Sequence, residues 1–407
     1  MSRTVELLAP AGDSEKLTTA LAYGADAVYL GAPRFGLRAQ AGNFDREALK
    51  EAIEKVHEQG KRLYLTLNAF LRPGEITELE TTLEELRPLG VDAYIVADTG
   101  VLETVRRIDP QRPLHLSTQA NTTNAAAVRF WQQVGVSRIN LARELSLEEI
   151  RQVRAGCTAD LEVFVHGAMC VAYSGRCLLS AALTGRNANA GACAHPCRWE
   201  YTLQEKSRPG EIFTLAEDER GSYLFNSRDL CLIEHLPALL DAGVDSFKIE
   251  GRMKSRYYLA AVLRVYRAAL DATLANPDEF ALDPLWREEL DKVSHRPYDS
   301  GFLFPGAAQE GRVHAADSHY RRSHDFIGIV HTVDDKGWGD VEGRNRFFVG
   351  ETIELIGPAM RQQSFVVEQA LTQEGAPLPV VQPNARVRIK LPPKAEPGDL
   401  LRRRSKA

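Results

Sequence analysis

Eight short apolar runs, spaced by helical patterns, constrain this chain more than any other feature. They are Glu6–Pro10, Ala27–Gly31, Leu63–Asn68, Ala93–Asp98, Leu114–Gln119, Arg138–Arg143, Glu162–His166 and Ser246–Glu250. Strands alternating with helices form βαβ units and a parallel sheet. Eight such units close into a (β/α)8, TIM-like barrel. The intervening segments carry start and stop signals. Asp45 caps a helix holding Leu49, Ile53 and Val56, and Gly60 ends it. Ser146 and Glu149 form a capping box before Ile150 and Val153. Tyr23-Gly-Ala-Asp-Ala, Leu89-Gly-Val-Asp-Ala and Ala242-Gly-Val-Asp-Ser each precede a strand, an internal repeat on the scale of one barrel unit. The barrel is expected to occupy residues 1–255.

One connection is far too long. About eighty residues separate His166 from Ser246, against roughly 2–6 in an ordinary βα loop. This insertion (167–245) holds five of the six cysteines: Cys170, Cys177, Cys193, Cys197 and Cys231. Loops that follow barrel strands lie on the face where barrel active sites are built, so topology alone puts the thiols over the barrel mouth. Zinc sites favour paired C-x2–4-C knuckles, and only Cys193 and Cys197 resemble one. The irregular spacing suits an iron–sulfur cluster better, with one thiol more than four ligands need. Cys157, outside the insertion, reads as a small buried hydrophobe.

Polar residues at the strand ends should line the mouth: Asn68, Asp98, Gln119, Asn121, Arg143, Glu144, His166 and Glu250. Gln119 and Asn121 suit a base edge or a polyol, and Arg143, Arg252 and Lys254 suit carboxylates. His166, Glu250 and Arg252 are the candidates for catalysis. His166 reads equally well as an acid–base group and as a structural histidine bonded to backbone. No G-x-S-x-G elbow or H-E-x-x-H helix is present, so serine hydrolase and zinc protease chemistry have no support.

After the barrel, residues 256–324 read as a helical and loop extension. Residues 325–407 change to short alternating runs, Phe326–Val330, Glu351–Ile356, Ser364–Glu368 and Ala385–Lys390, which read as a small antiparallel β-barrel. Its last run puts Arg386, Arg388 and Lys390 on one face, and Arg402, Arg403 and Arg404 follow in the tail. This stripe is a candidate nucleic-acid platform, set against an overall charge of −5. No apolar run is long enough to span a membrane, and the N-terminus lacks a signal-peptide core. A cytoplasmic protein is the expectation.

The run His166-Gly-Ala-Met-Cys170-Val-Ala-Tyr-Ser-Gly-Arg-Cys177-Leu-Leu-Ser180 resembles the signature of the collagenase-like peptidase family of unassigned mechanism. Lys248-Ile-Glu-Gly-Arg252 and Leu8-Ala-Pro-Ala-Gly12 fit the same family. Cys193-Ala-His-Pro-Cys197-Arg-Trp-Glu-Tyr201 and Ser294-His-Arg-Pro-Tyr298 are most similar to its tRNA-modifying branch. That branch makes 5-hydroxyuridine at the wobble position and depends on prephenate. The resemblance therefore implies tRNA and a small dicarboxylate, prephenate, as partners. Related branches hydroxylate a cytidine of large-subunit rRNA or act in oxygen-independent ubiquinone synthesis. The ubiquinone branches carry a [4Fe–4S] cluster whose ligand pattern falls on Cys170, Cys177, Cys193 and Cys231, leaving Cys197 spare. A peptidase and a nonenzymatic iron–sulfur scaffold are the competing classes.

Overall fold

The computed structural model describes residues 5–37, 42–170, 172–199, 228–304 and 320–405, with the short strand pairs 203–204, 212–213, 217–218 and 221–222. Seven parallel strands run in chain order: β1 (Glu6–Pro10), β2 (Ala27–Gly31), β3 (Arg62–Leu67), β4 (Ala93–Val96), β5 (Leu114–Leu116), β6 (Val136–Asn140) and β7 (Asp160–Ala168). The eighth, Ser246–Ile249, pairs in parallel with both β1 and β7 and closes the barrel. Helices α1 (Ser14–Ala22), α2 (Arg46–His57), α3 (Pro73–Leu86), α4 (Thr99–Ile108), α5 (Ala125–Gln133) and α6 (Leu147–Ala155) follow the first six strands. The expected caps are present: the Asp45 side chain accepts from Ala48 N, and Ser146 and Glu149 form the reciprocal box.

The internal repeat has a physical cause. Each glycine ends a helix at positive φ, and each following aspartate tethers a neighbouring strand. Asp26 accepts from Leu7 N at 2.8 Å, Asp92 from Leu63 N at 2.7 Å and Asp245 from Leu161 N at 2.9 Å. These bonds satisfy strand donors at the N-terminal end of the barrel.

The barrel interior is ionic in its middle. Glu6, Arg138, Glu162 and Lys248 form a chain in which Lys248 Nζ lies 2.7 Å from Glu162 Oε1, and Arg138 pairs with Glu6. Tyr64 OH donates to Glu6 at 2.6 Å. Buried charges persist only when paired and hydrogen-bonded in this way.

Two expected boundaries change. The helix α9 (Arg256–Ala275), placed by sequence in an extension, follows the eighth strand and packs between α1 and α8 (Leu236–Asp241), so it completes the ring of helices. The strand Tyr298–Asp299 pairs with Asp229–Leu230, which itself runs antiparallel to β7. Residues well beyond 255 thus belong to the barrel unit. A second helix, α10 (Pro284–Asp291), packs on α9.

The C-terminal domain is an eight-stranded antiparallel half-barrel. It encloses Ile327, Val330, Val341, Phe347, Ile353, Leu355, Val387, Ile389 and Leu401. Its central strands include Trp338–Gly343 and Leu400–Arg404, which the alternation pattern did not single out. The latter corrects the expected tail: Arg402–Arg404 are strand residues. Arg402 is fully buried, bidentate to Glu289 of α10 at 2.7 Å for each nitrogen, with Glu354 on its other side. Arg264 of α9 reaches the same Glu289 at 2.5 Å. This buried cluster joins the two domains.

Candidate active site

At the C-terminal end of the barrel, a cavity of about 60 Å³ is lined by strand-end residues and by the loops that follow them. Amides and hydroxyls come from Thr66, Asn68, Ser117, Thr118, Gln119 and Asn140, cations from Arg143, Lys248 and Arg252, and one carboxylate from Glu250. Tyr29, Ile95 and Phe164 supply apolar walls. A larger cavity of about 870 Å³ lies at the opposite end, around Glu6, Arg62 and Arg138. Barrel chemistry is built at the mouth, which makes the smaller cavity the candidate site.

Local bonds fix its walls. Asn68 accepts from Leu37 N and donates to Ser117 Oγ at 3.2 Å. Arg252 is buried and donates to Thr66 Oγ1 at 3.0 Å. Arg143 lies 3.8 Å over the Phe164 ring and donates to Ala168 O at 2.7 Å. Glu250 accepts from Tyr29 OH at 3.3 Å, and Lys248 sits 4.5 Å over the same Tyr29 ring. The arrangement offers amides for a base-like edge and cations for an anion within one small volume.

The described part of the insertion covers this mouth. Ser174 Oγ lies 3.3 Å from Thr118 Oγ1, and Ser174 N donates to Glu144 Oε1 at 3.1 Å. Phe70 N donates to Asn189 O. Gly175, at φ +74°, is pressed so closely on the Gln119 backbone that a Cβ would come within 2.0 Å of its oxygen. No side chain fits there without moving the roof.

Among the expected lining residues, Asn68, Gln119, Arg143, Glu250 and Arg252 converge on the cavity. Asn121 takes a left-handed conformation just after the Gln119 turn, with its side-chain oxygen buried. Asp98 instead caps α4, accepting from Gly100 N and Val101 N. Lys254 turns away to donate to Ser294 O at 3.0 Å, over the Tyr320 ring at 4.0 Å.

His166 also departs from expectation. A register shift lets Phe164 pair with Lys248 and His166 with Ile249. The extra residue reverses the alternation of side chains. His166 is therefore buried outside the cavity, among Tyr258, Tyr266 and Tyr298 at ring distances of 5.9, 5.2 and 5.3 Å. Its Nδ1 lies 3.3 Å from Tyr266 OH, and burial pushes its pKa down to about 3.

The sequence reading missed Tyr29, Thr66, Ser117, Asn140, Phe164 and Lys248. A usable signal existed for Thr66 and Lys248: each is a polar residue two positions before a chosen strand end, on the same face.

Cys170, Cys177, Cys193 and Cys197 lie in or beside the segment over the mouth, and Cys170 is exposed. Cys231 instead faces the helices, buried 3.7 Å from Tyr266 OH and 4.0 Å from Arg287 Nη1. Burial raises its thiol pKa. Among the described residues no three His, Cys, Asp or Glu side chains form a metal-ligand group.

The proposed nucleic-acid stripe is largely neutralised. Arg386 pairs with Asp340 at 3.2 Å, Arg388 with Asp334 at 2.9 Å and Arg403 with Glu351 at 3.0 Å. Lys390 lies beside Trp338 and bonds Lys336 O. Arg402 is out of reach of any ligand, and Arg404 alone among the three arginines of its strand is exposed.

The sequence matches two family descriptions, peptidase family U32 over residues 12–312 and the peptidase family U32 C-terminal domain over residues 322–402. It is 38% identical over 405 residues to tRNA hydroxylation protein P1 of Bacillus subtilis (strain 168), covering 99% of this chain and 96% of that one. It is 38% identical over 419 residues to tRNA hydroxylation protein P of Escherichia coli (strain K12), covering 92% and 91%. A third relative, the 23S rRNA 5-hydroxycytidine C2501 synthase of E. coli (strain K12), is 38% identical over 335 residues, covering 81% of this chain and 48% of that one. With both matches end to end along barrel and half-barrel, this chain belongs to peptidase family U32.

Proposed function

We propose that this protein is an RNA-modifying enzyme that hydroxylates the wobble uridine of tRNA to 5-hydroxyuridine at the barrel mouth, with prephenate as co-substrate. The observation that carries the reading is the cavity lining: Asn68, Gln119 and Asn140 beside Arg143 and Arg252. Amide side chains match the donor and acceptor pattern of a nucleobase edge. Two arginines match a dicarboxylate. The end-to-end likeness to proteins named for tRNA hydroxylation supports the same reading. A base reaches such a cavity only by leaving its stack, as unpaired loop bases do.

Within this reading, Arg252 and Arg143 hold the anion, Gln119 and Asn140 orient the base, and Glu250, steadied by Tyr29, is the group placed to accept a proton. A [4Fe–4S] cluster remains a proposal resting on the cysteine content. When bound it would carry electrons or polarise an oxygen donor, and no step is assigned to it. The peptidase reading finds little support, since the cavity lining includes no histidine or cysteine among the described residues. The rRNA reading rests on one relative of which this chain spans about half. Nucleoside analysis of separated tRNA and rRNA from a deletion strain tests the choice. Loss of 5-hydroxyuridine derivatives from tRNA supports the proposal; loss of 5-hydroxycytidine from rRNA alone refutes it.

A further inference from the structure

Among the described residues, the roof over the mouth has a surface that its own packing does not use. Tyr173 is 60% exposed, Leu178 74%, Leu183 49% and Trp199 44%. All four lie within residues 172–199. Large exposed apolar groups concentrated in one segment usually mark an interaction surface. The charge of this segment is one-sided as well. Residues 170–199 contain Arg176, Arg186 and Arg198 and no aspartate or glutamate. Arg176 and Arg186 are exposed and have no ion pair among the described residues. The nearby Glu144 is engaged with the Ser174 amide.

We propose that segment 172–199 is the docking surface for an unpaired RNA loop, with Tyr173 and Trp199 stacking bases and Arg176 and Arg186 meeting phosphates. The inference rests on the tRNA reading above and adds the surface that would present the loop to the cavity. Its position supports it. Tyr173 opens the tight turn whose Gly175 is seated on Gln119, a lining residue of the cavity, and the turn is closed by Arg176 N to Tyr173 O at 3.0 Å. A base stacked on Tyr173 would therefore stand beside the mouth. Aromatic faces interleaved with arginines suit single strands, because every base has a π-face and every nucleotide a phosphate. Cations without a single acidic residue between 170 and 199 favour a polyanion as the occupant. The arginines of the C-terminal sheet are mostly committed to Asp334, Asp340 and Glu351.

The test uses the full-length protein and an anticodon stem-loop RNA with an unmodified wobble uridine, with an RNA duplex for comparison. Tyr173→Ala and Trp199→Ala should each weaken stem-loop binding about tenfold, the equivalent of one lost base stack. Tyr173→Phe should bind like wild type. Arg176→Ala with Arg186→Ala should flatten the dependence of log Kd on log salt by about two phosphate contacts. Thermal unfolding of these variants should stay close to wild type, because the side chains are exposed. Unchanged stem-loop binding in all of them, with binding lost instead in Arg386→Ala/Arg388→Ala, overturns the assignment. So does a finding that the substitutions abolish self-association and leave RNA affinity intact. If a deletion strain loses 5-hydroxyuridine but the Tyr173→Ala/Trp199→Ala gene restores it fully, the docking surface falls while the tRNA reading stands. If the deletion leaves the nucleoside unchanged and wild type binds no stem-loop, both fall.

Discussion

Replacing Arg402 by alanine removes two 2.7 Å bonds to Glu289 and the pair with Glu354. Glu289 is left fully buried with Arg264 and Lys292 as its remaining partners. Breaking a buried pair costs roughly 3–5 kcal/mol, and the two surviving cations put this case near the lower bound, at about 3 kcal/mol. The acidity of Glu289 points to a similar magnitude. The Arg402 bonds and the Arg264 charge hold the Glu289 carboxyl at about 2, below its ordinary 4.5. That depression corresponds to about 3 kcal/mol, present above the ordinary value and lost as pH falls from 4.5 toward 2. Urea unfolding followed by tryptophan fluorescence should therefore show Arg402→Ala destabilised by about 3 kcal/mol at pH 7, with the gap to wild type narrowing under acid. RNA affinity per folded molecule should not change. An Arg402→Ala protein that unfolds like wild type but binds RNA poorly would refute the reasoning and restore the basic-tail reading.

Arg252→Lys should lower hydroxylation about tenfold or more while tRNA binding changes little, since a lysine cannot reproduce a two-pronged guanidinium contact; single-turnover rates beside binding curves check this. His166→Ala should cost about 2–4 kcal/mol by opening a hole among three tyrosines, read as a lowered midpoint in urea. Because the folded imidazole titrates near 3 against an ordinary 6.5, wild type should lose stability as pH falls below 6.5, and His166→Phe should lose less. Protein purified without oxygen should contain iron and sulfide at about four each per chain, with Cys157→Ala unaffected; stoichiometric zinc without sulfide would exclude the cluster.

The barrel was legible because eight apolar runs alternate with helical patterns, and because three units share one device, a Gly-X-Asp turn in which Asp26, Asp92 and Asp245 perform the same tether. The mouth residues were legible where alternation runs unbroken to the strand end, as at Asn68; Ser117, Thr118 and Gln119 all line the cavity because a short 3-10 turn follows β5. His166 was not, because one extra residue in β7 reverses its face, and no local pattern announces a bulge. Arg402 to Arg404 read as a basic tail because the partners of Arg402 and Arg403, Glu289, Glu354, Glu351 and Asp325, come from remote segments. Trp338–Gly343 escaped notice because Gly339, Asp340 and Gly343 dilute the apolar alternation that marks a strand. Cys231 lies near the other thiols in sequence, yet its strand turns it toward α9, a direction that spacing does not encode.

The most direct measurement of the central claim is mass spectrometry of tRNA nucleosides from a deletion strain carrying wild-type, Arg252→Ala or Arg388→Ala genes expressed at equal levels. 5-Hydroxyuridine derivatives should vanish on deletion, return with wild type and Arg388→Ala, and stay absent with Arg252→Ala. Unchanged 5-hydroxyuridine after deletion, in an organism with no second enzyme for that step, would contradict it, as would full restoration by Arg252→Ala.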